Sequence, residues 1–74
     1  MTSAVDFGGW LRQRRRELDL TQADLAQRVG CSTITIRKLE SGLRVPSRQM
    51  ATLLADVLLL PTDERARFVA SARG

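Results

Sequence analysis

An all-α fold of five short helices is what this sequence predicts, and three observations predict it. Apolar residues recur at spacings of three and four, the period of a helix face, rather than alternating. Asp6, Thr21, Ser32 and Ser47 each stand at the head of such a stretch, where a side-chain oxygen can cap free backbone N–H groups. Gly30, Gly42 and Pro61 follow three of the stretches, as helix stops do.

The first helix is expected at about 6–18, capped by Asp6, with Phe7, Leu11, Arg14/Arg15 and Leu18 on one side. Gly8 and Gly9 are poor helix residues, so its first turn is expected to fray. The second, about 22–29, follows Thr21 and carries Asp24 where a carboxylate suits the helix dipole. Its inner face is Leu25, Ala26 and Val29.

The third helix, about 33–41, is capped by Ser32 and turns Ile36 and Leu39 inward. Ile34, Thr35 and Ile36 are β-branched and would suit a strand, but the run is short and its flanking signals are helical. The fourth, about 48–59, shows an apolar stripe of Met50, Leu53, Leu54, Val57 and Leu58. The fifth, about 62–72, has Asp63 and Glu64 in its first turn and docks through Phe68 and Val69. No internal repeat, linker or low-complexity stretch interrupts them, so residues 1–74 read as one domain.

Composition narrows the function. The 74 residues are 43% hydrophobic, enough for one core, and carry net charge +4. A basic domain attracts polyanions such as nucleic acid or an anionic membrane surface, although excess Arg also keeps a surface soluble. Lys38 is the one lysine; every other cation is Arg, a bias that a GC-rich bacterial genome would leave. With one Cys and no His, the chain offers no internal disulfide, no soft-ligand metal site and no imidazole base. No catalytic set appears, and no cofactor is expected. No apolar run approaches a membrane span, and no basic-then-apolar leader opens the chain, so a cytoplasmic, nucleoid-associated location is expected.

The most informative stretch is QADLAQRVGCSTITIRKLES, residues 22–41: two short helices meeting at a tight turn. Ala26 leaves room for a close crossing, Gly30 turns the chain, and Leu25, Ile36 and Leu39 fill the shared core. A crossing of about 90–120° pushes the outer face of the later helix away from the body. Such a helix fits the major groove of B-DNA, about 12 Å wide. The longer stretch LRQRRRELDLTQADLAQRVGCSTITIRKLESG resembles the helix-turn-helix regulators related to phage lambda repressor and Cro, the XRE-type family. The likeness covers about residues 7–60 and rests on Thr-Gln-x-x-Leu-Ala-x-x-x-Gly followed by Ile-x-x-Leu-Glu-x-Gly.

The resemblance implies a compact lambda-repressor-like domain that binds a double-stranded DNA operator and regulates transcription. It implies that Thr33, Ile34 and Lys38 reach base edges, with Arg37 beside them, and that Gln22 and Arg44 contact phosphates. Arg48, in the first turn of the fourth helix, is placed to do the same. Arg and Lys suit guanine O6 and N7, while Ile34, in a place often polar in the family, suits thymine methyls or else belongs to the core. For Arg37 and Lys38 the alternative is a solvated face. The resemblance also implies an ion pair between Arg15 and Glu40, tying the first helix to the third.

The run Arg12, Arg14, Arg15, Arg16 reads as a mixed face, one member paired and the rest solvated, with phosphate contact as the alternative. Trp10 is expected half-buried against the core rather than at an interface, and Cys31 is expected to be inert rather than a redox switch. Residues 58–69 are a candidate homodimer surface. The segment from Leu39 to Arg73 further resembles the N-terminal DNA-binding domain of larger bacterial regulators. The competing function class is a protein-interaction module, or an antitoxin partner, built on the same body. No small-molecule pocket is evident.

Overall fold

The structure, a computed structural model, describes residues 6–72 and is all-helical there. Five helices follow in order: α1 (Asp6–Glu17), α2 (Gln22–Val29), α3 (Thr33–Ser41), α4 (Arg48–Val57) and α5 (Thr62–Ala72). The capping role expected of the Asp6 side chain lies outside the described residues, as do residues 1–5 and 73–74.

Local chemistry sets most of these boundaries. Thr21 accepts from Asp24 N at 2.9 Å while the Asp24 carboxylate accepts from Thr21 N at 2.9 Å, a reciprocal capping box. Those bonds to Thr21 hold the Asp24 carboxyl below its usual range. Ser32 caps α3 through Thr35 N, and Ser47 caps α4 through Met50 N, both at 3.1 Å.

The first four helices all close the same way at their C-termini. The chain passes through a left-handed residue, and the next N–H returns to a carbonyl five residues back. Leu20 N bonds Arg15 O, Cys31 N bonds Ala26 O, Leu43 N bonds Lys38 O, and Leu60 N bonds Ala55 O, at 2.9–3.2 Å. Gly30 and Gly42 take the left-handed position at φ 90° and 83°, but Asp19 and Leu59 take it at φ 56° and 57°. That is why α1 stops at Glu17 rather than 18, and α4 at Val57 rather than 59: without a glycine in the left-handed position neither last residue is marked in the sequence, although Pro61 marks that α4 ends before it.

The core gathers one face from every helix. Leu11, Leu25, Ile36, Leu39, Leu54, Leu58 and Phe68 are fully buried. Each contributes on the order of 1.5–3 kcal/mol of transfer free energy. Phe68 of α5 lies 4.9 Å, centroid to centroid, from Phe7, and Trp10 meets its ring edge-on at 5.2 Å. Trp10 is half-buried there. Leu53, expected in the inward stripe of α4, is 41% exposed, because the buried arc of that helix centres on Ala51, Leu54 and Ala55.

The opening of α1 differs from expectation. Gly8 is buried and helical, and a Cβ built on it would stand 2.4 Å from the carbonyl oxygen of Glu40. Its glycine permits backbone-to-backbone approach of α1 and α3. A Cβ built on the exposed Gly9 would meet nothing within 4 Å.

Candidate nucleic-acid interface

The α2–turn–α3 unit presents one outward face. Ile34 is 57% exposed, which places it outside the core. Arg37 and Lys38 are exposed on the same helix, and Thr33 is half-buried at its start. Thr35 is held back by its own cap, its hydroxyl 2.9 Å from that of Ser32. Arg44 and Arg48 are exposed beyond the helix, in the α3–α4 loop and at the head of α4. Among the described residues no ion pair engages Arg37, Lys38, Arg44 or Arg48. Neither α3 nor α4 has an acid in its first turn, so nothing there offsets the positive end of the helix dipole.

Behind this face lies a buried polar hub on Glu40. Its side chain is 1% exposed. Arg15 donates to it twice, Nε to Oε2 at 2.6 Å and Nη2 to Oε1 at 3.1 Å, and donates Nη1 to Leu20 O at 2.8 Å. Gln22, at the head of α2, donates Nε2 to Oε1 at 3.1 Å. Arg12 brings its Nε to 3.5 Å from the same oxygen. Burial pushes the Glu40 carboxyl up, but the bonds from Arg15 and Gln22 and the nearby Arg15 and Arg12 charges outweigh it and hold the carboxyl below its usual range. One acid thus ties α1, α2 and α3 together and fixes the pose of α3.

The arginine run of α1 is less solvated than its sequence suggests. Arg14 donates Nε to Leu58 O at 2.9 Å and Nη2 to Leu59 O at 3.3 Å, satisfying the carbonyl end of α4, and also pairs with Glu17 at 3.2 Å. Arg15 is buried in the hub and Arg12 borders it, leaving Arg16 exposed with no such tie among the described residues. The expectation of one paired member is therefore corrected, because Arg14 faces a helix C-terminus that comes from 44 residues away. No pattern in the sequence marks that contact. The Gly8 approach had a local signal, a glycine in a helical stretch, but not its reason.

Cys31 is half-buried, and burial pushes its thiol up, with Arg44 opposing; the thiolate is thus disfavoured. Among the described residues no cluster of His, Cys, Asp or Glu could hold a metal ion, and no helix is long and apolar enough to cross a membrane.

A short α2, a glycine turn and an α3 with a free cationic face define a helix-turn-helix protein. The family profile described as a helix-turn-helix domain matches residues 6–68, and the chain belongs to the XRE-like helix-turn-helix regulator family, a class of DNA-binding transcriptional regulators that is generally non-enzymatic. It is similar to an uncharacterized HTH-type transcriptional regulator of Methanothermobacter thermautotrophicus, 46% identical over 48 residues, covering 65% of this chain and 70% of that one. It is also similar to the cryptic phage CTXphi transcriptional repressor RstR of Vibrio cholerae, 33% identical over 54 residues, covering 73% of this chain and 48% of the repressor. No solved structure matches the chain.

Proposed function

We propose that residues 1–74 act as one sequence-specific DNA-binding module, laying α3 in the major groove of an operator. Support comes above all from the outward face of α3, where Ile34, Arg37 and Lys38 are exposed and neither cation is claimed by an ion pair among the described residues. In this reading Thr33, Ile34, Arg37 and Lys38 touch base edges. Lys38 or Arg37 donates to guanine, and Ile34 packs on thymine methyls. Gln22, Arg44 and Arg48 hold the backbone and set the register. A homodimer, formed through residues 58–69, would place two α3 helices about 34 Å apart on a two-fold operator. The setting is the bacterial cytoplasm, on the nucleoid, with these residues as the N-terminal domain of a larger regulator.

Selection of bound sites from a random duplex pool tests the reading. A consensus should emerge, and Thr33→Ala, Ile34→Ala or Lys38→Ala should relax it at particular positions, each by about 1–3 kcal/mol for a well-made contact. Gln22→Ala and Arg44→Ala should weaken all sites alike. An absence of duplex binding in a gel shift at low salt would overturn it and favour a protein-binding role for the same body.

A further inference from the structure

The geometry points to Arg12 as a further phosphate-contacting residue, held in place by Glu40 beside Gln22, so that α1 supplies a backbone clamp between Gln22 and Arg44. The inference rests on the DNA-binding reading above.

Three observations carry it. First, the Nε2 of Gln22 and the Nε of Arg12 converge on one oxygen, Oε1 of Glu40, at 3.1 and 3.5 Å. The Gln22 amide keeps a second N–H, and the Arg12 guanidinium keeps its two Nη groups, for which no protein acceptor stands among the described residues. Two donors with spare capacity are therefore presented side by side from different helices.

Second, the charge balance leaves Arg12 uncompensated. Glu40 is satisfied by Arg15 through two bonds, at 2.6 and 3.1 Å, inside the protein. Arg15 and Glu40 cancel, and the remaining positive charge of the cluster resides on Arg12, whose side chain is 46% exposed. The acid beneath it steers the guanidinium without neutralising the local field.

Third, Arg12 shares a groove with Arg44. An open hollow of about 590 Å³ lies between the start of α1 and the α3–α4 loop, and Arg12, Glu40, Gly42, Arg44 and Pro46 line it. Among the described residues its two cations stand on opposite elements, while its one acid there, Glu40, is buried at the 1% level. A nucleic-acid strand running past Gln22 toward Arg44 passes Arg12. Planar guanidinium donors suit phosphate oxygens, and the contact carries no sequence information.

The test is the salt dependence of duplex affinity. Each phosphate neutralised contributes about 0.9 to the slope of log K against log salt. Arg12→Gln should lower that slope by about 0.9 on every duplex, specific or random, and leave the selected consensus unchanged. Arg12→Lys, which keeps the charge, should restore the slope. Arg28→Gln, an equal charge loss at the exposed C-terminal end of α2, should leave it near wild type. Arg12→Met, which keeps the aliphatic stem, supplies the same reading if the Gln variant does not fold. A wild-type slope in folded Arg12→Gln or Arg12→Met overturns the role of Arg12 while leaving DNA binding intact. A wild type indifferent to duplex at every salt concentration overturns the DNA-binding reading and this one with it.

Discussion

Glu40→Ala is the substitution from which most follows. It removes the acceptor for Arg15, Gln22 and Arg12 at once, and leaves the Arg15 guanidinium with one protein acceptor, Leu20 O at 2.8 Å. Arg15's side chain is 10% exposed, so water reaches it poorly. Breaking a buried ion pair by deleting one partner costs about 3–5 kcal/mol, and the surviving Leu20 bond puts this case near the lower end, about 3 kcal/mol. For a domain of this size each kcal/mol lowers the melting temperature by roughly 4–8 °C, so a fall of about 12–24 °C is expected in a thermal circular-dichroism melt. Replacing both partners with apolar side chains, Arg15→Met with Glu40→Leu, should recover most of the loss, since no orphaned charge remains.

Acidity provides a second arm. The Glu40 carboxyl titrates below its ordinary value of 4.5 in the folded chain, so the stability it contributes is fully present above that value. It is lost as pH falls through the lower, folded value. The stability gap between wild type and Glu40→Gln should thus be constant near neutrality and shrink as the solution is acidified below about pH 4.5. Other carboxylates titrate in both proteins and cancel in the difference. A Glu40→Ala variant melting within about 2 °C of wild type, or a gap independent of pH, would refute the placement of Glu40 as the tie among three helices.

Other substitutions test the packing. Gly8→Ala drives a methyl into the Glu40 carbonyl and should cost about 1–3 kcal/mol by denaturant titration, whereas Gly9→Ala meets nothing and should gain up to about 1 kcal/mol through helix propensity. Leu59→Gly, at φ 57° and 68% exposed, should stabilise by about 0.5–1 kcal/mol, because glycine escapes the left-handed penalty; a loss would show that the Leu59 side chain is held by something. Arg14→Met should cost about 1 kcal/mol by freeing the Leu58 and Leu59 carbonyls, and amide exchange should rise at the Leu60 N–H that closes α4.

What could be read from the chain depends on the distance between cause and effect. The Thr21–Asp24 box, the Ser32 and Ser47 caps, the Gly30 and Gly42 stops and the inward Leu25, Ile36 and Leu39 arise from contacts within a turn or two. Such contacts leave a periodic or positional trace, and the helix-turn-helix unit was therefore legible, as was the outward set at 33, 34, 37 and 38. The exact last residues of α1 and α4 were not, because Asp19 and Leu59 fill positions that glycine ordinarily marks.

The sequence by itself determined five amphipathic segments, the caps at Thr21, Ser32 and Ser47 and the cationic outer face of α3, since each follows from the 3.6-residue period and local hydrogen bonding. Only the tertiary structure decided which of four neighbouring arginines caps α4, which is buried on Glu40 and which stays at the surface. Their side chains are chemically alike, and one residue along a helix turns each by about 100°, so partners 25 and 44 residues away make the assignment. The same holds for Gly8, whose missing side chain has meaning only once the backbone of α3 lies against it.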